Sequence, residues 1–261
     1  MKNETGATTA KCIGVLGGLG PYAGLDFVHK VFDCTNAATD QEHLPVLLYS
    51  FPNTIPPRVE FLLGKTTINP GYAMGELLVR LAKAGASVIG IPCNTAHSAS
   101  ILDVALDILF KSGFQGQFVH MIAETANHIR TVYPTAQNVG VLCTQGAYHS
   151  KVFDMHFNKY GLSVSYLEDE GRALLQNAIS NSSYGIKAFS SPVTDRAKND
   201  IGLQTAHLAE KNADCIIMGC TELPLALSGT DFQGIPLLDP TKILAESLIK
   251  AFDATKLKHN H

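Results

Sequence analysis

Short apolar runs and longer amphipathic segments alternate along the whole chain. The runs CIGVLGG, PVLLYSF and SVIGIP are apolar on both faces and rich in branched side chains, which predicts strands buried within a parallel sheet. Segments such as ELLVRLAKAGA lie between them and show the apolar spacing of a helix. Strands separated by helices in this way predict an α/β fold in which helices cover the sheet.

The same succession of segments occurs twice, which predicts two similar domains related by pseudo-two-fold symmetry. Cys93 corresponds to Cys220 at an offset of 127 positions, and each cysteine follows an equivalent apolar strand. Open α/β sheets bind ligands at the carboxyl ends of their strands. If the two halves face each other, the two cysteines do too. The expected domains are residues 1–117 plus 223–261 and residues 118–222.

Composition and charge exclude several classes of partner. The 261 residues are 46% hydrophobic and carry a formal net charge of −3, with no run of Lys and Arg, so nucleic acid is not an expected partner. No apolar run approaches the roughly 18 residues of a membrane span, and the amino terminus has no apolar segment of a signal peptide. We therefore expect a cytoplasmic protein without a membrane partner.

The cysteines are predicted to be reduced thiols. Six in a chain of this length are too few for a disulfide scaffold, and none shows the spacing of a metal site. Cys93 and Cys220 differ from the others because they occupy matching positions in the two halves, and short polar residues follow each of them. A thiolate is favoured at the amino end of a helix. Asn94, Thr95 and Thr221 either cap helices there or hold a carboxylate.

Three motifs resemble the aspartate/glutamate racemase family, and the resemblance covers nearly the whole chain. They are GGLGP from Gly17, CNTAH from Cys93 and GCTE from Gly219. The resemblance implies two α/β domains with the active site in the cleft between them, racemisation without pyridoxal phosphate or another cofactor, and usually a homodimer. The forms CNTAH and GCTE are nearer those of aspartate racemases than those of glutamate racemases.

Acid–base chemistry agrees with this assignment. Inverting an α-carbon requires a base on one face and an acid on the other, and Cys93 and Cys220 supply one group for each face. Donors around the α-carboxylate must stabilise the charge that develops in a closed cleft. The candidates for these donors are Asn94, Thr95, Thr144 and Thr221.

Two basic residues are candidates for the carboxylate of the substrate side chain. Arg58 ends the run PNTIPPR, which resembles a substrate-binding loop of the family although the residues before the arginine depart from it. An arginine fork holds a carboxylate bidentately. Lys187 lies where the family often has a second basic contact, in a loose alignment. The alternative for each is a solvated surface side chain.

Three supporting residues and two other functions complete the prediction. Gly18 belongs to a run that also fits the dinucleotide fingerprint, but the second strand ends without the acidic residue that would hold a ribose. His97 either assists a thiol or is a structural group, and Glu222 either orients Cys220 or favours a helix start. A glutamate or broad-specificity racemase is the nearest alternative to an aspartate racemase. A dinucleotide-dependent oxidoreductase and a non-catalytic binding protein are further alternatives.

Overall fold

The computed structural model describes residues 11–258, which form two sheets with the same order of parallel strands. The strands are β1 Cys12–Gly17, β2 Val46–Ser50, β3 Ala86–Gly90, β4 Gln117–Val119, β5 Asn138–Cys143, β6 Ser163–Ser165, β7 Cys215–Gly219, β8 Asp231–Phe232 and β9 Ile235–Leu238. The first sheet has the order β2-β1-β3-β4 and the second the order β6-β5-β7-β9-β8, in which only β8 and β9 pair antiparallel. The predicted α/β fold with two similar halves is confirmed.

Helices connect the strands, as the alternation of apolar patterns predicts. They are α1 Pro21–Asp33, α2 Arg58–Leu62, α3 Pro70–Lys83, α4 Ala99–Lys111, α5 Met121–Val132, α6 Gln145–His149, α7 Val152–Phe157, α8 Asp169–Ser180, α9 Asp195–Ala209 and α10 Pro240–Asp253. None of the helices within residues 11–258 combines the length and the hydropathy needed to traverse a lipid bilayer.

The buried apolar side chains join the two halves. One cluster contains Val15 of β1, Val141 of β5 and Leu248 of α10, and it lies between the two sheets. Two further clusters lie on the other sides of the sheets, against α3 and α4 in the first half and against α8 and α9 in the second. Burial of apolar side chains makes the largest favourable contribution to folding, and in this protein it also fixes one sheet relative to the other.

The strand pairing differs from the predicted domain boundaries at two places. β4 crosses the expected boundary after residue 117 and pairs with β3, whereas β8 and β9, expected in the first domain, extend the second sheet. Helix α10 contacts β1, β3 and β4, so this part of the chain does return to the first sheet. We propose that the domain boundaries follow the two sheets, with β4 in the first domain and β8 and β9 in the second. Residues 1–10 and 259–261 lie outside the described residues.

Candidate active site

Cys93 and Cys220 follow equivalent strands, one in each sheet. Cys93 comes shortly after β3, and Cys220 comes directly after β7; their relative exposures are 5% and 6%. Cys93 caps a short 3-10 helix over Asn94–His97, and α4 begins only at Ala99. The helix amino terminus expected at Cys93 is therefore that of a short 3-10 helix.

One small pocket contains every residue that the sequence predicts to be catalytic or to bind substrate. Its volume is about 20 Å³, which is room for about one water molecule. Its lining consists of Leu19, Arg58, Val59, Cys93, Asn94, Thr95, Thr144, Lys187, Cys220, Thr221 and Glu222. The two halves of the chain thus contribute their cysteines to the same enclosed space.

Larger cavities elsewhere in the described residues have no cysteine in their lining. One of about 430 Å³ lies between α5, β9 and α10, and one of about 640 Å³ lies beside the Phe114–Gln117 segment. Size alone would favour these cavities, but neither is lined by a cysteine. The chemistry of the lining therefore points to the small pocket.

Asn94 presents an unsatisfied amide to the pocket. The residue is 2% exposed, and neither its Oδ1 nor its Nδ2 has a hydrogen-bond partner within the described residues. A buried amide without partners is costly, and most such groups in folded proteins are satisfied. A bound molecule that has both donors and acceptors, such as an amino acid, would satisfy this side chain.

Three threonine hydroxyls add polar groups from both halves. The Oγ1 atoms of Thr95 and Thr144 lie 3.1 Å apart, and Thr144 also accepts from the backbone N–H of Ala147 at the start of α6. Thr221 Oγ1 donates to Glu222 Oε2 at 3.3 Å. These contacts hold the hydroxyls in the wall of the pocket.

Arg58 is the first residue of α2, and this helix packs against α6 of the other half. Its guanidinium donates to the backbone oxygen of Leu19 at 2.5 Å, and its Nε is buried without a partner. The contact fixes the side chain at the pocket and leaves other N–H groups of the fork for a ligand.

Lys187 supplies a second cation from the segment between α8 and α9. Its backbone N–H donates to Ile179 O at the end of α8, and its Nζ lies 4.0 Å from Glu222 Oε1. Burial of the ammonium lowers the pKa of Lys187, but the negative charge of Glu222 is the largest opposing effect, and the net shift is upward. The lysine is therefore charged at neutral pH.

Glu222 contacts the thiol of Cys220. Cys220 Sγ donates to Glu222 Oε2 at 3.0 Å, and the carboxylate is 3% exposed. Burial raises the pKa of the Cys220 thiol well above its ordinary value, and the neighbouring carboxylate raises it further, whereas Lys187 opposes the shift. The geometry agrees with the predicted orienting contact between Glu222 and Cys220.

The other two supporting residues do not line the pocket. Gly18 has a φ of 77° in the turn after β1, where a side chain would approach Phe51 N to 2.9 Å, so glycine meets a backbone requirement there. His97 Nε2 lies 3.0 Å from Ile91 O, and its ring meets that of His120 edge-on with centroids 4.5 Å apart. Burial lowers the pKa of His97 to about 4, which favours the structural role.

Three further residues at the site were not predicted. Leu19 and Val59 line the pocket, and Gly20 approaches Glu222 closely. Their neighbours in sequence, Gly18 and Arg58, were recognised, but the sequence does not show that the turn after β1 meets the segment after β7. Within residues 11–258, no group of three or more His, Cys, Asp or Glu side chains is arranged to hold a metal ion.

Comparison with known proteins finds amino-acid racemases of similar sequence and structure. The broad specificity amino-acid racemase RacX of Bacillus subtilis is 25% identical over 245 residues, which cover 92% of this chain and 97% of that relative. The structure of Picrophilus torridus aspartate racemase matches with a TM-score of 0.76 at 27% identity, over 95% of this chain and 96% of that one.

A more distant structure shares the fold. Glutamate racemase from Francisella tularensis, in complex with D-glutamate, matches with a TM-score of 0.64 at 15% identity over 97% of this chain and 85% of that one. The model of the Asp/Glu/hydantoin racemase family matches residues 16–248. The chain therefore belongs to the Asp/Glu/hydantoin racemase family.

Proposed function

We propose that this protein interconverts L- and D-aspartate by a two-cysteine acid–base mechanism without a cofactor. The observation that carries the proposal is that Cys93 and Cys220, from equivalent strand ends of two similar halves, line one pocket together with two cationic side chains. One thiolate removes the α-proton from one face, and the opposite thiol delivers a proton to the other face. Because the sulfurs exchange roles with the direction of the reaction, one must be a thiolate while the other is a thiol.

The charges of the pocket complement those of aspartate. Arg58 and Lys187 are cationic, and Glu222 is the single carboxylate in the lining. Aspartate carries two carboxylates and one ammonium at neutral pH. Arg58 suits the side-chain carboxylate, since its fork allows a charge-assisted bidentate contact.

Neutral donors serve the α-carboxylate, where negative charge develops as the α-proton leaves. The amide of Asn94 and the hydroxyls of Thr95, Thr144 and Thr221 lie in the lining around the two cysteines. Fixed donors in an enclosed, poorly solvated pocket stabilise developing charge more strongly than water does. This stabilisation takes the place of a cofactor as an electron sink in the proposed mechanism.

Substrate entry requires the pocket to open. A volume of about 20 Å³ does not admit aspartate, so the described arrangement corresponds to a closed form. Helix α2 carries Arg58 and packs on α6 of the other half, which makes this contact the expected place of opening. Closure around the substrate would exclude water from the carbanion.

Specific observations bear on two alternative functions, one of which they favour and one of which they disfavour. The name of the Bacillus subtilis relative favours a racemase of broad specificity, and a substrate panel separates that function from an aspartate racemase. An oxidoreductase is disfavoured because the Glu222 carboxylate lies against Gly20 at the start of α1, where a dinucleotide phosphate would otherwise bind.

The test is exchange of the α-proton in D₂O, measured by NMR for both enantiomers of aspartate, glutamate, alanine and lysine, together with polarimetry. Protein dialysed against EDTA is expected to exchange and invert both enantiomers of aspartate fastest. Cys34→Ser, which removes a thiol outside the pocket, is the matched control. Dependence on an added metal or pyridoxal phosphate, or exchange of no amino acid in the panel, would overturn the proposal. The homodimer remains a prediction that light scattering tests.

A further inference from the structure

The carboxylate of Glu222 lies where it opposes ionisation of Cys220. Its Oε2 accepts hydrogen bonds from Cys220 Sγ at 3.0 Å and from Thr221 Oγ1 at 3.3 Å. If the thiol lost its proton, a thiolate and a carboxylate would lie in contact in a buried pocket. Like charges at this distance disfavour the ionised form. The contact therefore stabilises the protonated form of Cys220.

Gly20 provides the space for this carboxylate. A Cβ atom at residue 20 would lie 2.2 Å from Glu222 Oε1 and 3.1 Å from its Cδ. The backbone of Gly20 is extended, with φ −174° and ψ 117°, which any residue adopts. The glycine is thus required for the close approach of Glu222 rather than for its own conformation.

The other charged and titratable groups around Cys220 come from three different segments. Lys187, before α9, has its Nζ 4.0 Å from Glu222 Oε1. Arg58, at the start of α2, and Cys93, after β3, complete the set in the pocket lining. Lys187 and Glu222 act in opposite directions on the pKa of Cys220, and the carboxylate has the larger effect of the two.

We propose that Glu222, held against Gly20, is a positioning residue that keeps Cys220 in the thiol form in the substrate-free protein. One consequence of this inference rests on the proposed function. In the proposed racemase reaction, Cys220 is the acid of the resting pair and Cys93 is the base. In one direction, Cys93 takes the α-proton and Cys220 gives its own proton to the other face. The product leaves Cys93 as a thiol and Cys220 as a thiolate, so a proton must pass from Cys93 to Cys220 through solvent before the next turnover.

Steady-state comparison of the two directions does not reveal this bias. Enantiomers have equal free energies, so the equilibrium constant is one and kcat/KM must be equal in both directions at every pH. The resting state is therefore tested on the thiol itself. The ultraviolet absorbance of the thiolate reports its ionisation without substrate.

The experiment titrates Cys220 in a Cys93→Ser background and subtracts the titration of the Cys93→Ser/Cys220→Ser double variant. Adding Glu222→Gln, which keeps the size of the side chain but removes its charge, is expected to move the midpoint to lower pH and to speed alkylation by iodoacetamide at neutral pH severalfold. Gly20→Ala is expected to act in the same direction because it displaces the carboxylate. Gly202→Ala, at a position with open space in α9, is the matched glycine control.

An unchanged or raised midpoint in the Glu222→Gln variant, with a native circular dichroism spectrum, would overturn the inference. Lys187→Met removes the opposing cation and is expected to raise the midpoint, so shifts of the same sign in both variants would also overturn it. No substrate is used in this titration. The titration can therefore be interpreted even if the protein has no racemase activity. If the protein is a racemase and the midpoint does not shift, only the role of Glu222 is refuted.

Discussion

Thr95 and Thr144 lie with their hydroxyl oxygens 3.1 Å apart although they belong to opposite halves of the chain. Thr95 follows Cys93, and Thr144 ends the loop from β5 into α6. Both hydroxyls line the pocket, and Thr95 is only 6% exposed. The contact joins the two halves where the proposed substrate carboxylate binds.

Thr95→Val is expected to lower kcat/KM for aspartate by about tenfold to a hundredfold, because loss of a buried hydrogen bond costs about 1–3 kcal/mol. Valine keeps the shape of threonine, so the effect reports the hydroxyl. Thr205→Val is the matched control, since Thr205 is also fully buried but donates to Ile201 O within α9. Equal activity losses in the two variants, measured by polarimetry, would show that Thr95 acts only through stability.

Arg58→Ala is expected to lower kcat/KM for aspartate about a hundredfold or more. This corresponds to a loss of a few kcal/mol of transition-state stabilisation, the size expected for a lost charge-assisted contact. Arg58→Lys should restore little, because an ammonium lacks the planar fork. Any residual activity toward alanine should fall less, since alanine has no second carboxylate. Arg80→Ala, on the exposed side of α3, is the control. An equal loss for aspartate and alanine would contradict binding of the side-chain carboxylate by Arg58.

His97 is expected to make stability depend on pH. Burial lowers its pKa from the ordinary 6.5 to about 4, so the unfolded chain binds a proton that the folded chain does not. Stability from neutral His97 is therefore complete above about pH 6.5 and is lost as the pH falls toward 4, by about 3 kcal/mol in all. Urea unfolding of wild type and His97→Gln at neutral and acidic pH measures the difference.

The His97→Gln protein should lose less stability on acidification than the wild type does, whatever its stability at neutral pH. Other groups that titrate in this range contribute to both proteins and cancel in the comparison. His120 is the exception, because its ring lies edge-on to that of His97 and the charge of His97 contributes to lowering its pKa, so the comparison measures these two groups together. His29→Gln, at an exposed position of α1, is the matched histidine control. Parallel curves for His97→Gln and wild type would refute the assignment.

The fold was predictable where the pattern is local and repeated. The runs that end at Gly17 and Gly219 are buried strands, and the offset of 127 places Cys93 and Cys220 at equivalent strand ends. The prediction failed where tertiary contacts decide the structure. The sequence pattern after β5 predicts one helix through Phe153, but the structure has two, α6 and α7, separated by Ser150 and by Lys151, which has a φ of 53°.

The site was predictable to the extent that its residues follow strands. Motifs and the resemblance to the family together gave the polar residues of the lining, but they did not give the contact between Gly20 and Glu222. These two residues follow strands of different sheets, and neither periodicity nor a repeat relates them. Their proximity depends on how α1 and the segment after β7 are packed, which no local pattern in the sequence specifies.

Replacing either cysteine of the pocket by serine is expected to abolish racemisation while leaving exchange of one enantiomer. Serine preserves size but resists ionisation, so each variant keeps one thiolate on one face of the substrate. Cys93→Ser should then exchange the α-proton of one enantiomer of aspartate with D₂O, and Cys220→Ser that of the other. NMR follows the loss of each α-proton signal, and polarimetry follows inversion.

Exchange by the Cys93→Ser variant should also depend on pH. In Cys93→Ser the surviving base is Cys220, whose pKa burial and Glu222 hold well above the ordinary value. Exchange by this variant should therefore increase as the pH rises above neutral. Full racemisation by either variant would refute the pairing of the cysteines across the substrate. Exchange of the same enantiomer by both would place the two sulfurs on one face, where a single thiol both removes and returns the proton.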